Sequence, residues 1–316
     1  MTPGLRRLVL RQAQDDPERS RRAAPIACAV AILIALPISA RAWSFDVHRF
    51  LTGRAIQQLP TELRPFFEKH RAMIVEHSID PDLWRNAGFL EEPPRHFLDL
   101  DAYGPHPFAD LPRDYEAAVK KYGKDMILKN GLLPWRATEI YDRLVKAFRD
   151  YGEGSSPFAA DDIKFFSAIL AHYTADAHVP FHAALNYDGQ LTNQHGIHNR
   201  FEGELMRRYG DRVTLAAKPV VPVRQPRDFI FDTLIAGFPL VETVLAADRR
   251  AVAGRDDYDD AYFDQLFAGS KEILERRIAE ASSGIAGMIV GAWETAGRPA
   301  VPLEPPRMHR KIRKPM

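Results

Sequence analysis

Residues 165–182 read FFSAILAHYTADAHVPFH, and this stretch decides the fold. From Phe165 to Asp176 it is apolar around most of a helical circumference, so the spacing predicts a helix buried on every side, and with it a helical bundle. His172 and Asp176 then lie indoors. Four residues apart, they project from one helical face at neighbouring heights, in line with Phe165 and Ile169. Burying an unpaired charge costs roughly several kcal/mol even after relaxation. Two partnerships satisfy the pair: an imidazole–carboxylate hydrogen bond within the core, or a metal cation shared by both. An i,i+4 pair alone does not choose between them.

Just beyond, Pro180 stops the helix, His182 follows, and His198 and Glu202 repeat the same spacing on the next helical segment. Phe201 and Leu205 supply the apolar stripe of that segment, which places His198 and Glu202 at its border and turns Arg200, Arg207 and Arg208 toward water. Two imidazole–carboxylate pairs with a third histidine between them make a cluster that can converge at the mouth of a bundle.

Helical periodicity extends over residues 46–58, 62–75, 132–150, 160–177, 199–208, 227–250 and 258–294. Residues 213–223 have strand-like character, but Pro219 and Pro222 make them an irregular excursion or a small hairpin. Residues 91–94 and 104–112 read as loops, and Pro239 is expected to bend or break its helix. The expectation is all-α, a single helical domain over residues 43–297. Residues 298–316, rich in proline and basic side chains, read as a disordered tail that can touch a membrane surface transiently.

At the N-terminus, Arg19, Arg21 and Arg22 precede the apolar run 26–38, and Ala40-Arg41-Ala42 follows as a cleavage site. That layout predicts a signal peptide over residues 1–42 and an exported protein, periplasmic or extracellular. The apolar run is too short for the roughly 18–20 residues that span a bilayer. The only cysteine, Cys28, falls inside this segment, so any metal site in the mature chain relies on histidine and carboxylate. Loss of residues 1–42 changes the balance from 43 basic against 42 acidic to 36 against 39. A basic nucleic-acid footprint is therefore absent from the body.

HYTADAHVPFH (172–182) followed by HGIHNRFE (195–202) resembles the signature of the superfamily that contains bacterial zinc-dependent phospholipase C and the single-strand-specific nucleases called S-one and P-one. In that superfamily the mature chain starts at a tryptophan that binds zinc through its amine and carbonyl, and Trp43 directly follows the predicted cleavage site. His48 in FDVHRFLTGRAI (45–56), Asp82 in SIDPDLWR (78–85) and His96 in RHFLDLD (95–101) match its other ligand positions, with Asp80 a competitor of Asp82. The resemblance implies three zinc ions. Asp82, His96, His172 and Asp176 would hold the first; Trp43, His48 and Asp176 the second; His182, His198 and Glu202 the third. Hydrolysis would proceed through a hydroxide held between the paired zincs, with Asp176 bridging them and Asp82 orienting the attacking water.

The implied activity is phosphodiester hydrolysis, with no obligate protein partner. The Glu202 ending and the lack of mature cysteines resemble the phospholipase branch, so phospholipase C-like action on a phospholipid headgroup is expected first. The short step from Trp43 to His48 resembles the nuclease branch, and Leu83 stands where the studied phospholipase has a choline-pocket tyrosine. Single-stranded nucleic acid is the alternative substrate, and a non-catalytic zinc-binding protein is the second alternative. Of the remaining residues, His178, His195 and Asp99 are candidates to hold ligand imidazoles, and Trp84, Phe89, Tyr103, Phe108 and Tyr187 to line a groove.

Overall fold

Helix α1 (Phe45–Gln58) buries Val47, His48, Leu51, Thr52, Ala55 and Ile56, an i, i+3, i+4 stripe that carries one histidine into the interior. The computed structural model describes residues 44–303. The 1–42 segment, Trp43 and residues 304–316 lie outside them. Three short helices follow: α2 (Arg64–Lys69), α3 (Arg71–His77) and α4 (Asp80–Asn86). Proline opens α4 in its first turn, where its missing N–H costs nothing, and the helix buries Pro81 and Asp82.

A 3₁₀ turn (Pro93–His96) brings His96 inward. Helices α5 (Tyr115–Tyr122) and α6 (Lys124–Asn130) come next, outside the segments that periodicity singles out. They are short and charged, and Asp114 caps α5 by accepting from the Ala117 N–H at 2.9 Å. Helix α7 (Leu133–Glu153) is amphipathic and packs against α8 (Ala159–Ala177). Every residue of α8 from Ser167 to Ala177 is buried, and α1, α3, α7 and α12 surround it. The helix lies at the centre of the packing, as its apolar circumference predicts.

After a 3₁₀ turn (Pro180–Ala183), the chain forms α9 (Ile197–Asn199), a π turn (Arg200–Glu204) and α10 (Leu205–Tyr209). Helix α11 (Pro226–Val252) runs through Pro239 without a break and packs on α12 (Asp260–Thr295) and α7. The described residues contain no strand and form a single all-α domain. Residues 213–223 are irregular coil laid along α12. There Gly291 is required by close approach, since a Cβ would stand 1.8 Å from the Val223 carbonyl oxygen.

The expected tail disorder does not extend to residues 298–303. Trp293 Nε1 donates to the Pro299 carbonyl at 2.8 Å and the Tyr151 hydroxyl to the Pro302 carbonyl at 2.7 Å. Lys69 Nζ donates to the Leu303 carbonyl at 2.9 Å.

Candidate metal centre

Eight of the nine residues proposed as ligands are described, and all eight are buried. His48 comes from α1, Asp82 from α4, His96 and His182 from the two 3₁₀ turns, His172 and Asp176 from α8, His198 from α9 and Glu202 from the π turn. Three groups form, each with ligand atoms within 4.8 Å of one another: His48, His172 and Asp176; Asp82, His96 and His172; His182, His198 and Glu202. Asp80, the competitor of Asp82, accepts a hydrogen bond from His77 Nδ1 at 2.8 Å instead.

Asp176 is the hub. One oxygen lies 3.5 Å from His48 Nε2; the other lies 2.9 Å from His96 Nδ1 and 3.3 Å from His172 Nε2. The His48 and His172 rings stack at 4.0 Å between centroids. Burial alone would push the Asp176 carboxyl up; the charges of His172 and His182 and the hydrogen bonds from His172 and His96 outweigh it and hold it well below the usual carboxylate range. Burial and the neighbouring His172 keep the His48 imidazole neutral, well below its ordinary value.

Backbone carbonyls set the tautomers. His172 Nδ1 donates to the Ser78 carbonyl at 2.8 Å and His182 Nδ1 to the His96 carbonyl at 2.6 Å, which leaves each Nε2 available to the cluster. On His96 the outward nitrogen, Nε2, stands 3.6 Å from Glu92 Oε1, while Nδ1 turns to the cluster. Glu92 is itself buried, accepts from the Tyr173 hydroxyl and pairs with Arg95 at 2.7 Å. Burial would raise its pKa, but the neighbouring His96 first, then the Tyr173 hydroxyl and Arg95, bring it down to about 2.

In the third group, His198 Nε2 lies 3.1 Å from Glu202 Oε1, and the His182 and His198 rings are 5.0 Å apart. Burial lowers His182 to about 3 and His198 to about 4. Glu202 moves the other way: burial first, then the charges of Asp176 and Asp82, raise it well above its usual value.

The decisive feature is what these atoms lack. Both nitrogens of His48 and His198, both oxygens of Asp82 and Glu202, and Asp176 Oδ1 are buried without a hydrogen-bond partner. Orphaned buried polar atoms are rare in proteins, and an oxygen and imidazole set of this kind suits a divalent ion such as zinc. The donor set fits the metal.

Two of the groups reach a cleft of about 630 Å³, which His96, His182 and His198 border. Phe97, Phe181, Leu185, Tyr187 and Leu191 give it an apolar wall, with Arg85 and Lys129 as its cations. Arg85 lies 2.9 Å from Asp82 Oδ1. Asp99 also lines the cleft, with Oδ1 unpartnered, and burial and the neighbouring Asp101 raise its pKa to about 7.

Several side chains stand elsewhere than the sequence suggested. Asp99 holds no imidazole, and His178 Nδ1 donates to the Thr174 carbonyl at 2.7 Å rather than to a ligand. The His195 side chain is exposed. Tyr187 borders the cleft, Tyr103 and Phe108 belong to the core, and Trp84 packs near Phe165. Arg200 is buried, with 6% exposure, where it was expected to face water. Sequence reasoning missed Glu92, although its place four residues before His96 was a signal.

No known family profile and no curated protein sequence matches the chain. Among solved structures, the chain is similar to the alpha-toxin of Clostridium perfringens avian strain SWCP, at 13% identity and a TM-score of 0.47 over 82% of this chain and 65% of that one. It is also similar to the alpha toxin of Clostridium absonum, at 15% identity and a TM-score of 0.45 over 83% and 66%. The chain thus spans just under two thirds of the length of these two proteins.

Proposed function

We propose that the protein is a zinc-dependent phosphodiester hydrolase with phospholipase C-like action, exported after removal of residues 1–42. One observation carries this reading: three buried groups of imidazoles and carboxylates lie together, many of their polar atoms without a hydrogen-bond partner, and His96, His182 and His198 bring two of the groups to the wall of one cleft. A structural zinc site is closed and usually rich in cysteine, whereas these donors contain none and border open space.

Asp82, His96, His172 and Asp176 would hold one ion, Trp43, His48 and Asp176 a second, and His182, His198 and Glu202 a third. When bound, zinc supplies Lewis-acid polarisation of the phosphoryl group and acidifies an attacking water. Asp82, whose Oδ1 lies 2.9 Å from Arg85, would orient that water. Asp176 fixes the spacing of the pair by facing His48 with one oxygen and His96 and His172 with the other. Arg85, beside Asp82, adds positive charge where a phosphate would sit.

The wall of the cleft favours a phospholipid. A single-strand groove tracks the backbone with many cations, and this cleft has two. Phe97, Phe181 and Tyr187 are the observation on the other side, since aromatic rings also stack bases. A parallel assay of the mature protein on phospholipid vesicles and on single-stranded DNA, with and without chelator, separates the readings. Diacylglycerol release that chelator abolishes and zinc restores is expected. DNA hydrolysis alone would select the nuclease, release of phosphate only from monoesters would exclude both, and bound zinc without turnover would select the non-catalytic alternative.

A further inference from the structure

Arg200 sits on the chain between two proposed ligands, two residues from His198 and two from Glu202, yet its side chain leaves the segment on the side of α11 and α12. There Nε donates to the Tyr262 hydroxyl at 2.7 Å, one terminal nitrogen to the His195 carbonyl at 2.7 Å, and the other to the Gln194 carbonyl at 3.3 Å and to Asp248 Oδ1 at 3.2 Å. The guanidinium lies 4.1 Å from the centre of the Tyr258 ring. Asp248, 1% exposed, also accepts from the Tyr262 hydroxyl and, through Oδ2, from Gln194 Nε2 at 2.7 Å.

We infer that Arg200, Asp248 and Tyr262 are positioning residues that set ion occupancy at the His182–His198–Glu202 group without acting on the pair around Asp176. This rests on the three-site reading of the centre.

Two arguments lead there. The first is that local structure cannot hold these ligands. A three-residue helix and a π turn, entered from irregular chain at residues 184–196, replace the regular ladder that fixes His172 and Asp176 on α8. Geometry at His198 and Glu202 must be imposed from outside, and the Arg200 cluster ties this segment to two long helices. The second is energetic. A buried ion pair adds little net stability, because desolvation offsets attraction, and apolar residues of similar volume do as well or better. Such a pair is informative for register: the guanidinium has one set of acceptors, so it admits one placement of the backbone that carries His198 and Glu202.

The test compares the wild type with Arg200→Met/Asp248→Leu, which removes both charges together and leaves neither buried alone, and with Tyr262→Phe, which removes one hydroxyl. Tyr141→Phe, which removes a buried hydroxyl bonded to the Val223 carbonyl at 2.8 Å, controls for the general loss of such a bond. Zinc stoichiometry is read by inorganic mass spectrometry, stepwise affinity by chelator competition, and apoprotein helicity and melting by circular dichroism. The double variant should keep the helicity and two ions of the wild type while the third binds roughly 10–100-fold more weakly, the range seen when outer partners of metal ligands are removed. Tyr262→Phe should shift the same ion by less, and Tyr141→Phe should shift none. Three ions bound as tightly as in the wild type, or all ions weakened in parallel, would overturn the assignment. A wild type that takes up no third ion overturns the metal reading and the brace together, a result distinct from a three-ion wild type whose variants are unchanged.

Discussion

Around Asp176, imidazoles from α1, the Pro93–His96 turn and α8 converge on one carboxylate, whereas His198 and Glu202 ride together on a short segment that contains a π turn. The first arrangement is locked by the core itself, because α8 is packed on every side and its ladder of backbone bonds is regular. The second borrows its rigidity from α11 and α12 through Arg200. One lesson follows: within a single centre, a ligand's tolerance to change depends on whether its own helix or a distant partner holds it. The same division predicts which ions fail together.

Asp176→Asn should have the largest effect, since one carboxylate faces three imidazoles in two of the groups. Zinc content should fall from three ions to one, and turnover by more than roughly 10³-fold, beyond the 10–100-fold typical of changes outside the ligand set. Glu202→Gln should instead leave two ions and a smaller loss of turnover. Metal analysis of both proteins breaks the comparison if they lose the same ions.

The next effect concerns Glu92, whose carboxylate stands 3.6 Å from His96 Nε2, on the side of the ring away from the cluster. Glu92→Gln keeps the shape but removes the charge, so the ion at Asp82, His96 and His172 should bind about 10–100-fold more weakly while the third site is unmoved. A titration against a graded chelator reads both at once; parallel weakening at both sites would dissolve the distinction between the halves.

How far the sequence reveals this division depends on distance along the chain. The i,i+4 pairs at His172/Asp176 and His198/Glu202 are local, so periodicity alone places each on one face and α8 indoors. Arg200 is a different case. A regular helix would turn it outward with Arg207 and Arg208, but the π turn changes the rotation, and its acceptors lie 48 and 62 residues away in Asp248 and Tyr262. Nothing local encodes those partners. Residues 298–303 were unreadable for a related reason: their anchors are backbone carbonyls, which composition does not register. Helices α5 and α6 fell below periodicity because each is at most eight residues long and glycine separates them. Trp43 lies outside the described residues, so its role as a ligand rests on the resemblance alone.

The smallest effect is the release of protons on metal binding. Burial pulls the His96 pKa down, but hydrogen bonds with Asp176 and Glu92 outweigh it and leave it at about 9. Glu202 is held well above its usual value by burial and by the charges of Asp176 and Asp82. His96 therefore carries a proton in the metal-free protein at neutral pH and must lose it to bind an ion, and burial favours the protonated form of Glu202. His48, His182 and His198, all lowered by burial, have none to give. The sign is therefore set: a proton present before binding and absent after it makes affinity rise with pH, about tenfold per unit for each proton released. One proton should leave with an ion at Asp82, His96 and His172, and binding at His182, His198 and Glu202 should also strengthen as pH rises. Calorimetry in two buffers of different ionisation enthalpy counts the protons directly. In Glu92→Gln the bond that helps hold the His96 proton is weakened, so the pH dependence should flatten at the first site and persist at the third; a flat profile at both sites in the wild type would remove the electrostatic contrast on which this count depends.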